Sequence, residues 1–201
     1  MNSELSRKGY RIEKLVQSAQ GIVGLLPIFD HLRTLPGMSL CADLDSQIAY
    51  VDQKDLDLYV VHNLDSIADE PNGGKGIIAI AGVKHLLSYR YEPHPYVYSE
   101  PGSFGLKNIE RASELCCLTV LPTFVGKGIA KSLTLHRLDS LPDRRKAVIE
   151  LRPSEESRNR LDKKPEAHAS TKVVQDLAKS LGFIYAGRAL ADNSMVLVAP
   201  F

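Results

Sequence analysis

Apolar and polar positions alternate over Gly9 to Val16 (GYRIEKLV), the period of a strand with one buried face. Residues 18–37 read instead as a helix capped by Ser18, kinked at Pro27 and ended by Pro36-Gly37. Leu56 to Leu64 (LDLYVVHNL) is strand by its β-branched and aromatic content. Lys75 to Leu87 is apolar nearly throughout and reads as a central strand, antiparallel to the previous one across the turn ADEPNGGKG. Ser88 to Ser113 carries three prolines and four of the chain's eight tyrosines, and it reads as a long functional connection, a lid or a substrate wall. A strand (ELCCLTVLP), a helix over Gly126 to Leu141 and a strand over Lys146 to Arg152 follow. Residues 153–170 are polar and read as an exposed loop. The segment TKVVQDLAKSLGF is a helix with Val173, Val174, Leu177 and Leu181 on one side, stopped by Gly182. A closing hairpin turns near Ala191 to Ser194. The pattern is that of an α/β protein with six or seven strands.

The length of 201 residues suits a single domain over 1–201. Lys and Arg number 25 against 24 Asp and Glu, a net charge of +1, which leaves no broad footprint for nucleic acid. A nucleic-acid role would have to rest on Arg144-Arg145-Lys146 and on Arg158 to Lys164. No run is long and apolar enough to span a membrane, and the N-terminus lacks the apolar core of a secretion signal. The three cysteines, Cys41, Cys116 and Cys117, are an odd count, so a reducing, cytoplasmic compartment is expected. Neither Cys nor His falls at metal-ligand spacing, and no metal is expected.

One junction is costly without a purpose. VLPTFVGKGIAKS (Val120 to Ser132) places Gly126 and Gly128 where a strand hands over to a helix. The first amides of a helix lack internal partners, and with the helix dipole they attract an anion such as a phosphate. Glycines let a diphosphate come close. A Walker loop does not fit, because Val125 and Ala130 occupy its glycine positions. The dinucleotide fingerprint fails at Lys131, its third glycine position.

TVLPTFVGKGIAKSL resembles the acyl-CoA pyrophosphate loop of the GNAT superfamily of N-acyltransferases. Val120, Pro122, Gly128 and Ala130 fall on that loop's pattern, and Val125 stands where Arg or Gln is usual. AKSLGFIYAGR resembles the family's later helix-to-strand segment, so the likeness covers about residues 57–199. LLSYRYE, SELCCLTVLP and VIELR are in addition similar to segments of arginine N-succinyltransferases. The resemblance implies a mixed, twisted sheet with helices on both faces. It also implies acyl transfer from acetyl-CoA, or another acyl-CoA such as succinyl-CoA, to a small-molecule or protein amine in a ternary complex. A homodimer is one form such enzymes take.

Roles follow from the same resemblance. Val125, Gly126, Lys127, Gly128, Ile129 and Ala130 would hold the diphosphate, while Leu118, Thr119 and Val120 would offer backbone bonds to pantetheine and also serve as core strand. Lys127 and Lys131 either add charge near phosphate or are solvated. Glu114 is where many relatives place a general base. Glu150 sits in the apolar strand AVIEL, where a carboxylate is costly unless paired or useful; it serves in catalysis, binds the substrate amine, or pairs with an arginine. His85, Tyr89 and Arg90, with His94, would face the acceptor, Arg90 toward a substrate carboxylate. The usual tyrosine acid is replaced by Ala178, leaving Tyr185 and Cys117 as remaining candidates or an unassisted thiolate.

Overall fold

The computed structural model describes residues 8–15, 25–31, 53–64, 76–93, 106–154, 167–168, 171–190 and 194–199. They form nine strands: β1 (Tyr10–Lys14), β2 (Leu56–Asn63), β3 (Ile77–His85), β4 (Ser88–Pro93), β5 (Lys107–Glu110), β6 (Ser113–Val120), β7 (Ala147–Leu151), β8 (Ile184–Ala189) and β9 (Met195–Val198). Helices α1 (Ile129–Ser140) and α2 (Lys172–Ser180) accompany them, and residues 25–31 are helical. The chain divides into two compact units. One holds residues 1–84 and 117–140, the other residues 85–116 and 141–201.

In the first unit the strand order is β1-β2-β3-β6. β1 and β2 are antiparallel with Ile12 opposite Val61, and β2 and β3 are antiparallel with Val60 opposite Ile80. The apolar run predicted for β3 is buried from Ile77 to Val83, as a strand covered on both faces should be. α1 packs on β2: the Tyr59 hydroxyl donates to Ser140 Oγ at 2.9 Å, and the Tyr59 ring stands edge-on to His136. Ile129 and Leu133 supply the buried face of α1.

In the second unit the order is β6-β7-β9-β8-β4-β5, with β6 and β7 parallel and the other pairs antiparallel. The unit curls tightly. Its core gathers Tyr89, Tyr91, Val148, Ala186, Val196 and Val198 from β4, β7, β8 and β9. Gly187 marks the sharpest approach, since a Cβ there would lie 2.0 Å from the Glu92 carbonyl oxygen and 2.9 Å from Tyr91.

Three expectations change. The tyrosine-bearing connection holds β4 and β5, which raises the strand count from the expected six or seven to nine. Its first half alternates strictly, with Tyr89, Tyr91 and Pro93 buried between exposed Ser88, Arg90 and Glu92. The prolines had masked that period; Pro93 is tolerated because it ends the strand. α1 begins at Ile129 rather than Gly126, because Gly126 and Gly128 adopt left-handed backbone that cannot continue a helix. α2 buries Gln175 and Ala178, whereas Val173 is 73% exposed. The inward glutamine is satisfied by accepting from the Ala167 amide at 3.3 Å. The loop over 155–166, the turn at 191–193 and His94 lie outside the described residues.

Gly187→Ala should destabilise the protein by about 2–3 kcal/mol, the cost of a backbone clash that only strand movement relieves. Urea unfolding followed by circular dichroism measures it, and an unchanged midpoint would contradict the close approach.

Candidate functional site

The glycine junction lies wholly in the first unit. β6 ends at Val120, Leu121 turns the chain, and Pro122–Phe124 make one 3-10 turn. The Phe124 amide donates to Leu121 O at 2.9 Å, and the Val125 amide to Pro122 O at 3.2 Å. Gly126 and Gly128 then take φ values of 83° and 82°, and a Cβ at either would meet nothing within 4 Å. The Ser132 amide, donating to Gly128 O at 3.1 Å, closes the first turn of α1. The junction is open at both glycines, and its helix carries no acidic residue in the first turn.

Side chains around it are sparse. Val125 is 65% exposed, and Gly126, Lys127 and Gly128 are exposed, while Ile129 turns its side chain into the core. Lys127 Nζ lies 4.7 Å from the centre of the Phe124 ring, and Tyr10 meets the same ring edge-on. The lysine is thereby held beside the turn. Leu118, Thr119, Val120 and Ala130 are half-buried, and Lys131 is exposed.

The strand that leads into the cradle is irregular. Cys117 has φ 58°, unusual for a non-glycine residue and more so within a strand. Two hydrogen bonds explain it. Leu86 N–H donates to Ala112 O at 2.9 Å, and Leu121 N–H to Ile78 O at 2.9 Å. Between those bonds β6 runs one residue longer than β3, as a bulge requires, and Cys117 carries the positive φ. The Gly82 carbonyl of β3 accepts from Arg137 Nη1 of α1, at 2.8 Å.

The second unit holds the carboxylates. Ser113 and Glu114 of β6 register with Ala147 and Val148 of β7. Glu114 therefore shares a sheet face with Val148 and, two residues on, with Glu150. Both glutamates are half-buried. The Tyr89 hydroxyl donates to Glu150 Oε1, which answers how an apolar strand tolerates that carboxylate: its partner is a phenol rather than an arginine. Tyr89 is buried, and Arg90 is exposed on the other face of β4, so the two do not line one surface. His85 is exposed at the end of β3.

Tyr185 registers with Leu197, which stands opposite Ile149, so it lies on the face opposite Glu150. Burial pushes its hydroxyl up to about 12, against a smaller lowering by the positive charge of Arg188. A phenol that holds its proton so firmly is a poor acid near neutrality. Ala178 is 1% exposed in α2. Among the described residues, no group of three or more His, Cys, Asp and Glu is arranged to hold a metal ion, and no helix is long and apolar enough to cross a membrane. Of the basic trio, Arg145 is bound back to Asp143, holding that carboxyl below its usual range. Residues 155–166, which include the whole of the second basic stretch, lie outside the described residues.

Arg137 escaped the sequence reading. Its signal was its spacing, since Ile129, Leu133 and Arg137 share one stripe of α1 at four-residue intervals.

No family model and no curated protein matches the sequence. Solved structures do. A GNAT-family acetyltransferase from Streptococcus agalactiae matches with a TM-score of 0.57 at 12% identity, over 96% of this chain and 98% of that one. Arabidopsis thaliana NAA60, solved with acetyl-CoA, matches at 0.56 and 14% identity, over 96% and 99% of the two chains. The ribosomal-protein-S18-alanine N-acetyltransferase from Escherichia coli matches at 0.52 and 14% identity, over 96% of each. The fold is that of the GNAT acetyltransferases.

Tyr185 provides a pH test. An unfolded tyrosine ionises near ~10, and the folded one near about 12. Stability from this group is thus complete below pH ~10 and falls as pH rises toward ~12, because the unfolded chain loses its proton first. Spectrophotometric titration should find one late tyrosine, absent in Tyr185→Phe, whose alkaline limb of stability should be flatter.

Proposed function

We propose that this chain is an acyl-CoA-dependent N-acyltransferase that moves an acyl group, acetyl first among the candidates, from CoA to a primary amine by direct attack. One observation carries the reading: the two left-handed glycines at the tip of α1 leave an open, main-chain-lined cradle at the end of a bulged strand. A diphosphate placed there accepts from the amides of the first helical turn and meets the positive end of the dipole. The pantetheine arm then follows the half-buried segment of Leu118, Thr119 and Val120, whose backbone would pair with it as one more strand would. The fold shared with acetyltransferases, one of them solved with acetyl-CoA, supports the same reading.

The chemistry needs an amine freed of its proton, a polarised thioester carbonyl and a departing thiolate. Glu114, three residues before the bulge on the same strand, is the proposed base. Glu150 keeps the Tyr89 phenol in place on the same sheet face, a polar patch in an otherwise apolar core. With Ala178 at the family's tyrosine position and Tyr185 holding its proton to about 12, the thiolate leaves without a protein acid. The acceptor is a small-molecule or protein amine.

A GNAT-shaped module that binds acyl-CoA without turning it over is the competing reading, favoured by Val125 and Ala178. Calorimetry with CoA, followed by thiol release from acetyl-CoA and succinyl-CoA over a panel of amines, separates the two. Heat with turnover supports the enzyme. Heat without turnover on any amine supports the module, and no heat removes both.

In the enzyme, Glu114→Gln should lower kcat by about 10²–10⁴-fold while CoA affinity stays unchanged; equal losses in both would remove Glu114 from the role of base. Val125→Gln restores a side-chain donor at the cradle and should tighten CoA binding by about three- to tenfold, the worth of one added hydrogen bond. Weaker binding in that variant would mean that the diphosphate does not pass this tip.

A further inference from the structure

Arg137 is 2% exposed in the middle of the buried face of α1, an expensive place for a guanidinium. Its bonds run in two directions. Nη1 donates to the Gly82 carbonyl at 2.8 Å, and Nη2 donates to Thr134 Oγ1 at 3.2 Å. Thr134 in turn donates to the Ala130 carbonyl at 2.9 Å. Ala130 belongs to the first turn of α1, directly after the cradle glycines, and Gly82 belongs to β3. One fork of hydrogen bonds therefore joins the cradle's first turn to the backbone of β3.

A planar guanidinium suits this task because its donors diverge at fixed angles. A lysine ammonium keeps the charge but not the fork. An apolar replacement leaves the Gly82 carbonyl without its donor, and a buried carbonyl in that state is costly.

We propose that Arg137 is a positioning residue for the cofactor site: it fixes the rotation of the first turn of α1 against the bulged ladder, so that the cradle amides converge on one anion. The acyl-CoA part of this statement rests on the function proposed above; the coupling between Arg137 and the cradle does not. Arg137 touches no reacting atom in this scheme. It acts through Thr134 and Ala130 on one side and through Gly82 on the other.

The test uses Thr134→Val, which removes both bonds of the Thr134 hydroxyl and keeps the helix, beside Arg137→Lys and Arg137→Met. Hydrogen exchange of the Ser132 and Leu133 amides reads the first turn without any ligand. Exchange there should quicken in all three variants relative to amides near Ser140, most in Arg137→Met. Isothermal titration with CoA should show affinity lost by about three- to thirtyfold, the range for mutations along a coupled network. KM for the amine should stay as in the unaltered protein.

Two outcomes overturn the proposal: unchanged exchange in folded Thr134→Val and Arg137→Lys, or quickened exchange confined to the end of α1 near Ser140. If exchange quickens at the first turn while the unaltered protein gives no heat with CoA, the coupling stands and the acyl-CoA reading fails. If the unaltered protein binds CoA and the variants bind equally well with unchanged exchange, the acyl-CoA reading stands and Arg137 is merely structural. Should Arg137→Met fail to fold, Thr134→Val and Arg137→Lys still decide.

Discussion

An antiparallel ladder with one residue too many on one strand must place the surplus somewhere, and in this chain it falls at Cys117 of β6. The cost is a left-handed non-glycine residue, which the surrounding structure has to hold in place. On β3 the Gly82 carbonyl takes its donor from outside the ladder, a buried arginine.

The second unit solves a different problem, an acid in an apolar sheet. In the strand order β7-β9-β8-β4, Tyr89 and Glu150 stand three steps apart, roughly 14 Å in a flat sheet at ~4.8 Å per strand. They bond all the same. Only a strongly curled sheet brings them together, and the curl needs Gly187, since the Glu92 carbonyl occupies the space where a side chain would begin. The carboxylate, the phenol and the glycine are therefore parts of a single device. Each would be unfavourable alone: the acid unpaired, the hydroxyl unsatisfied, the strand weakened by a residue without a side chain.

Much of this was legible from residues alone. Six or seven strands followed from alternation and β-branched runs, and the break before α1 followed from two glycines placed where no regular structure wants them. What escaped has a common physical cause. Tyr89 and Tyr91 alternate with Ser88 and Arg90 as clearly as any strand, but the prolines around them carry the louder local signal. Gln175 faces inward and accepts from the Ala167 amide, which precedes α2. Arg137 occupies a core position and donates to the Gly82 carbonyl of β3. Both depend on a partner outside their own helix, and periodicity has no means of registering such a partner.

Val125 sharpens what the cradle must do. Where a side-chain donor is present, a long flexible group can follow an anion and forgive a misplaced backbone. Here an exposed valine contributes no hydrogen bond, so recognition falls on amides whose directions are set by φ and ψ alone. Backbone donors cannot adjust individually; they move only if the whole turn moves. A site built this way gains nothing from extra charge if its amides diverge, and loses little from missing charge if they converge. Under the proposed function, the rigidity of the first turn of α1 is the quantity on which anion binding would depend, and that would give a buried fork of hydrogen bonds from Ala130 to Gly82 a reason to exist beyond the stability of the helix.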